Sequence, residues 1–333
     1  ALTKNMSAGF VDTYWYDARM AAYTYALGGS LGKAEHGGKA FSNCYNWGQT
    51  TRREQASQTR LMALHRVDWF AMNWGDECEW PNCYPMGKNW QGQVDAAARL
   101  AQVSAFLGGA RNRPLVAVWH GWEGVVRVNE GGLAHYWKTF LTNTAWTLQE
   151  RNIPFDFTSS EMLAGGRGER GADGRARLVT RMGSYAAVVM GYACMVPAAL
   201  WDRVREFAGA GGTVVFVGPP PSCTTDGDDL AEAFAALAAV EPVALSGYLA
   251  RVKERFPGSA DASGILDIIL YQRPPRIDFS HPIRPRGSDV LLDSEGDPWA
   301  ARAPGGSAWW LPGLAPQEKL ADVLAPCPGA DPV

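Results

Sequence analysis

The sequence predicts an α/β protein built on parallel sheets, and three observations carry that expectation. Short apolar runs of strand length (KAFSNC, VDWFAM, PLVAV, IPFDF, AAVVMG, TVVFVG) alternate with Ala- and Leu-rich helical stretches. Strands separated by helices pair in parallel, with right-handed crossovers. Most of the later runs are continuously apolar rather than alternating, as expected of strands buried on both faces. Loops that follow strands are long, polar and aromatic (NCYNWG, NWGDECEW), whereas those that precede strands are short. That asymmetry belongs to a sheet whose working face lies at the strand C-termini.

The elements follow in order. Asp17 is placed to cap a helix through MAAYTYAL that Gly28 and Gly29 end, and Asp12 reads as a turn residue. Lys39 to Cys44 reads as a short buried strand. Thr51 with Glu54 has the spacing of a capping box and starts a helix reaching about Leu64. Val67 to Met72 is the next strand, followed by a long loop and a helix from Trp90 to Leu107.

A second unit opens at Arg113. PLVAVWHGWE reads as a strand running into a polar turn, then a helix over Gly132 to Glu150, the strand IPFDF and the helical turn SSEML. RGERGADGRAR reads as a mobile charged loop. AAVVMG, VPAALWDRVREFAGAGG and TVVFVG give strand, helix and strand, and DDLAEAFAALAAV is helical. From about Ser288 the tail changes character, with hairpin turns at SEGD and PGG and a final helix PQEKLADVL. The expected organisation is therefore residues 1–112 and 113–333, the second being a doubly wound, flavodoxin-like parallel sheet with a small β-hairpin tail.

Bulk properties narrow the function. The 333 residues suit two ordinary domains, and 47% hydrophobic residues support a sizeable core. A net charge of −3 favours neither nucleic acid nor an anionic membrane. No apolar run is long enough to span a bilayer. The start at Ala1 reads as processed, trimmed or internal. Six Cys stand at irregular spacing; Cys78 and Cys83 are close enough to bond if their loop folds back, and neither they nor the rest have zinc spacing. Cysteine usage leaves a soluble protein's compartment open between a bacterial cytoplasm and export. GPPPSC is no phosphate cradle, since its prolines remove amide donors, and no cofactor or metal is expected. Ten of the 14 Trp fall between Trp15 and Trp146, several in loops after strands. Flat apolar faces with a directional N–H suit sugar rings.

With these elements in order, the chain resembles the end of a glycoside hydrolase (β/α)8 barrel followed by the flavodoxin-like domain of β-galactosidase type, often called the trimerisation domain. The matching stretches are YWYDARMAAYTYALGG, KAFSNCYNWGQT, VDWFAMNW, PLVAVWHGWEGV, NIPFDFTSSEML, YAAVVMGYACMVPAALWDRVREFAGAGGTVVFVG and DPWAARAPGGSAWWLPGLAPQEKLADVL. The resemblance implies that residues 39–65 and 67–109 are the seventh and eighth barrel units, that residues 17–30 are the sixth helix, and that earlier strands lie on a longer protein. It implies a carbohydrate partner and a homo-oligomer, trimer or dimer.

Hydrolysis by such barrels needs two carboxyl groups. The family typically carries a Glu in the strand corresponding to KAFSNC, and this chain has Asn43 there. An amide supplies neither a nucleophilic carboxylate nor negative charge opposite an oxocarbenium ion. Glu77, between Asp76 and Cys78 after the eighth strand, is the best stand-in, with Glu79 beside it and Glu123 a further carboxylate. Tyr45, Trp47, Trp74, Asp76, His120 and Trp122 are the expected sugar-binding residues. Cys194 at a strand-to-helix position raises a separate reading, a glutamine-amidotransferase relative; it would need a strained elbow and a later His, and His281 alone follows it. A non-catalytic relative that binds sugar or mediates assembly is the remaining alternative.

Overall fold

Three strands and one helix are described in the first part of the chain. In the computed structural model, β1 (Gly9–Thr13), α1 (Ala18–Glu35), β2 (Ala40–Cys44) and β3 (Val67–Ala71) succeed one another. The structure describes residues 9–13, 18–35, 40–44, 65, 67–71, 95, 98–99, 101–103, 105–106, 113–129, 134–171, 173–255, 281–314 and 317–324. The chain divides into two compact units, Ala1–Asn112 and Arg113–Val333.

In the first unit the strands lie parallel in the order β1-β2-β3. Helix α1 does not stop at Gly28 and Gly29 but continues to Glu35. Gly29 serves a close approach instead of a stop: a Cβ there would lie 2.2 Å from the His65 carbonyl oxygen. Mid-helix glycine costs about 1 kcal/mol against alanine, and here it is the residue that fits. Ala22, Tyr25 and Ala26 bury one face at helical spacing. Asp12, read as a turn residue, lies inside β1. The expected helix over 51–64 lies outside the described residues; those described between 95 and 106 are helical.

The second unit begins with β4 (Val116–Trp119), α2 (Trp122–Asn129), α3 (Ala134–Glu150), β5 (Phe155–Thr158) and α4 (Ser160–Ala164). The polar turn expected after PLVAVW is thus a helix. Next come β6 (Arg167–Arg170), β7 (Ala176–Val179), β8 (Ser184–Tyr185), β9 (Ala187–Gly191), β10 (Met195–Val196) and α5 (Ala198–Gly209). Then follow β11 (Thr213–Val217), β12 (Cys223–Thr224), α6 (Ala231–Ala238) and α7 (Leu245–Arg255). The chain closes with β13 (Asp289–Leu292), β14 (Pro298–Arg302), β15 (Ala308–Leu311) and α8 (Gln317–Leu324).

The main sheet has the order β13-β14-β15-β11-β9-β4-β5. Its five strands β5-β4-β9-β11-β15 are all parallel. In chain order that is 2-1-3-4-5, the flavodoxin-like arrangement. The tail is more than an appended hairpin. Its AWWL strand is the fifth parallel strand, and β13 and β14 extend the sheet antiparallel. Trp310 on that strand is fully buried and donates its indole N–H to the Gly218 carbonyl (3.1 Å). Val116, Val118, Val188, Val189, Val214 and Val215 supply the dry core, where β-branched side chains suit a pleated surface.

RGERGADGRAR is a hairpin, not a loop. β6 pairs with β7 antiparallel, and Leu178 and Ala176 turn inward while Arg177 pairs with Asp173 (2.8 Å). Gly174 at φ 74° makes the turn. Below it, buried Tyr185 donates to buried Asp156 Oδ2 (3.0 Å), which anchors β8 to the sheet edge.

Candidate functional site

The strand ends of the first unit hold the position where the resemblance implies a carboxylate. Asn43 is the penultimate residue of β2, one step before its C-terminal end. Parallel register sets Asp12 of β1 opposite Asn43 and Ala71 of β3 on its other side. Sequence reading passed over Asp12. The signal was available in GFVDT, an apolar start with a carboxylate near its end, but a five-residue run at the edge of the chain lacks the length that separates strand from turn. Tyr45, Trp47, Trp74, Asp76, Glu77, Cys78, Glu79 and Cys83 lie outside the described residues.

In the second unit the three residues singled out from VWHGWE are described; His120 and Trp122 meet, and Glu123 is engaged elsewhere. Consecutive residues at a strand end point to opposite faces. Trp119 turns toward α4 and donates its indole N–H to Ser160 Oγ (3.0 Å). Ser160 in turn donates to Glu123 Oε1 (2.7 Å). A Cβ on Gly121 would fall 2.3 Å from the Trp119 ring, so only glycine lets the indole fold back. The Glu123 carboxylate is therefore engaged in tying α2 to α4.

His120 turns the other way. Its backbone N–H donates to the Thr158 carbonyl (2.9 Å), and its ring meets Trp137 of α3 edge-on at 5.0 Å, Trp122 at 5.8 Å and Phe157 at 6.1 Å. Burial pushes its pKa down to about 4. The imidazole is neutral at pH 7, with one ring nitrogen a donor and the other an acceptor. Trp122 opens α2 with its side chain 62% exposed, 5.2 Å from Trp137. The result is an aromatic shelf at the C-terminal end of β4.

Flavodoxin-like sheets bind ligands where the strand order reverses, here between β4 and β9. That crevice is closed by backbone: a Cβ on Gly124 of α2 would sit 2.0 Å from the Tyr192 carbonyl oxygen just past β9. The left-handed elbow residue is Tyr192 (φ 55°), not Cys194. Tyr192 is fixed by donating its hydroxyl to the Leu314 carbonyl (2.8 Å). Cys194 is fully buried, and burial holds its thiol pKa well above the ordinary value. A thiol kept protonated is not a nucleophile. His281 stacks on Tyr248 at 5.3 Å and its Nδ1 lies 2.9 Å from the Pro282 carbonyl. The arrangement lacks the strained Cys elbow that an amidotransferase requires. Among the described residues no three His, Cys, Asp or Glu side chains are grouped to hold a metal, and no helix is long and apolar enough to cross a membrane.

No protein-family model matches the chain, and no curated protein matches it in sequence. Solved structures do match its fold. A catalytic mutant of Gan42B, a GH42 beta-galactosidase from G. stearothermophilus, superposes with a TM-score of 0.59 at 16% identity, over 95% of this chain and 48% of that one. The beta-galactosidase of Rahnella sp. R3 gives 0.62 at 15% identity, over 95% and 50%. An exo-beta-1,4-mannosidase from an Opitutaceae bacterium gives 0.53 at 10% identity, over 94% and 56%. The fold is thus that of glycoside hydrolases, and the chain spans about half the length of the structures it matches.

Proposed function

We propose that the chain is part of a glycoside hydrolase-like protein that holds a carbohydrate. Residues 1–112 supply the last two to three βα units of a barrel, and residues 113–333 a flavodoxin-like domain. One observation carries this reading: strands β1, β2 and β3 are parallel neighbours in chain order, as consecutive barrel strands are, and a 2-1-3-4-5 sheet follows them. The overlap of glycosidase structures with 94–95% of the chain supports the same reading.

In this reading the β2 end faces the sugar, with Asn43 at the position of the nucleophile, and Tyr45, Trp47, Trp74 and Asp76 line the pocket. Glu77 and Asp12 are the carboxylates at hand, one after β3 and one in register with Asn43. In the second unit, His120 and Trp122 offer a separate aromatic surface for sugar. The protein assembles as a trimer or dimer, which light scattering would read directly. A second reading, in which the protein binds sugar without hydrolysing it, is favoured by Asn43 itself.

Dinitrophenyl glycosides separate the two. Their leaving group departs without a proton, so a nucleophile alone is enough to release it. Turnover by the unaltered protein that Asp12→Asn or Glu77→Gln abolishes supports the enzyme; turnover appearing only in Asn43→Glu supports the binder. Absence of turnover and of sugar binding in every form would overturn both.

A further inference from the structure

We infer that Trp137, with Trp122 and His120, forms a subsite for a neutral sugar ring at the C-terminal end of β4, in which Trp137 donates its indole N–H to a ligand oxygen. The inference rests on the carbohydrate reading above and adds a residue that reading does not use.

The first observation is an unmet donor. Trp137 is only 6% exposed, and its buried Nε1 has no hydrogen-bond partner among the described residues. A buried N–H left unpaired costs about 1–3 kcal/mol, and groups of this kind are commonly explained by a function. The second is an apolar surface left open beside it. Trp122, 5.2 Å away, is 62% exposed, and Val126 one turn along α2 is 63% exposed. A large ring at the surface turns freely on its side-chain bonds, so Trp122 can swing out and admit a ligand to Trp137. The third is charge. The imidazole packed edge-on against both indoles is neutral, and the one carboxylate of this turn, Glu123, is engaged by the Ser160 hydroxyl.

An apolar shelf, an indole N–H needing an acceptor and no formal charge select an uncharged ring with one apolar face and hydroxyl oxygens on its edge. A pyranose has that chemistry. An anionic sugar gains nothing here, because no cation of the cluster faces it.

The test is titration of the protein with lactose and with mannobiose, read by the indole N–H signals of its 14 Trp. Trp137 is identified by the signal missing from Trp137→Phe, which keeps an aromatic ring in the core. The expected result is a saturable downfield shift of the Trp137 signal, about five-fold weaker binding in Trp137→Phe, and loss of saturable binding in Trp122→Ala. Galacturonic acid is expected to bind no tighter than galactose. Shifts confined to other indoles, with Trp137 stationary, overturn this subsite and leave the carbohydrate reading standing. So does turnover of an aryl glycoside with no indole moving. No shift and no turnover overturn both.

Discussion

Acid should weaken the fold through His120, and the size of the effect follows from its surroundings. An unfolded His titrates near 6.5, whereas burial among Trp137, Trp122 and Phe157 takes the folded group to about 4. A folded pKa below the unfolded one means that the unfolded chain binds the proton first. Stability is then full above pH 6.5 and falls as pH drops toward 4. At 1.36 kcal/mol per unit, moving from pH 7 to pH 5 removes about 2 kcal/mol for a fully shielded ring, and about 1 kcal/mol once the partly open imidazole is screened. His65, also buried and lowered to about 4, adds a parallel loss. The comparison must therefore be a difference: urea unfolding at both pH values for the unaltered protein and for His120→Phe. The variant should lose about 1 kcal/mol less between the two. Equal losses would refute the claim that His120 is held neutral by burial.

Other consequences are equally direct. Tyr185→Phe removes the donor to buried Asp156 and should cost about 2 kcal/mol in denaturant unfolding; a change below about 0.5 kcal/mol would show that the bond does not anchor β8. Asn143, buried on α3 with neither amide atom paired among the described residues, should be better as a shape-matched apolar residue. Asn143→Leu is expected to raise stability by about 1 kcal/mol, and a loss would mean that a partner holds the amide. Gly124→Ala should destabilise by about 2 kcal/mol, because the new Cβ meets the Tyr192 backbone oxygen rather than a side chain that can turn. A thiol reagent, mapped by mass spectrometry, should leave Cys194 unmodified until the protein unfolds; modification of the native protein would reopen the nucleophile reading.

The parallel architecture was legible because its signal is repeated. Valine-rich runs at 116–119, 187–191 and 213–217 each announce a strand buried on both faces, and the helices between them fix parallel pairing. What the sequence hid was local and tertiary. Gly28-Gly29 reads as a helix stop, and only the His65 carbonyl, distant in sequence, shows that Gly29 is there for a close approach. The charged hairpin at 167–179 reads as a loop because its outward face is a row of Arg, Glu and Asp, and its inward face is two residues. AWWL was read as tail because joining the main sheet depends on a partner, β11, lying far back in the chain. At the site, His120, Trp122 and Glu123 are close in sequence, yet His120 ends the strand against Trp122 and Trp137 while Glu123, already in α2, accepts from Ser160. Trp137 gave no sequence signal, since one Trp in a helix looks like any core residue.

The C-terminal end of β2 carries the proposed carbohydrate site. The most direct measurement is the initial rate of dinitrophenol release from a panel of β-glycosides by the purified protein, with and without Asn43→Glu. A carboxylate restored at a glycosidase nucleophile position should give turnover above that of the unaltered protein on at least one sugar, competed by free lactose or mannobiose. A folded Asn43→Glu protein with no gain on any glycoside, and no competition by either sugar, would contradict the assignment of this strand end to a carbohydrate site.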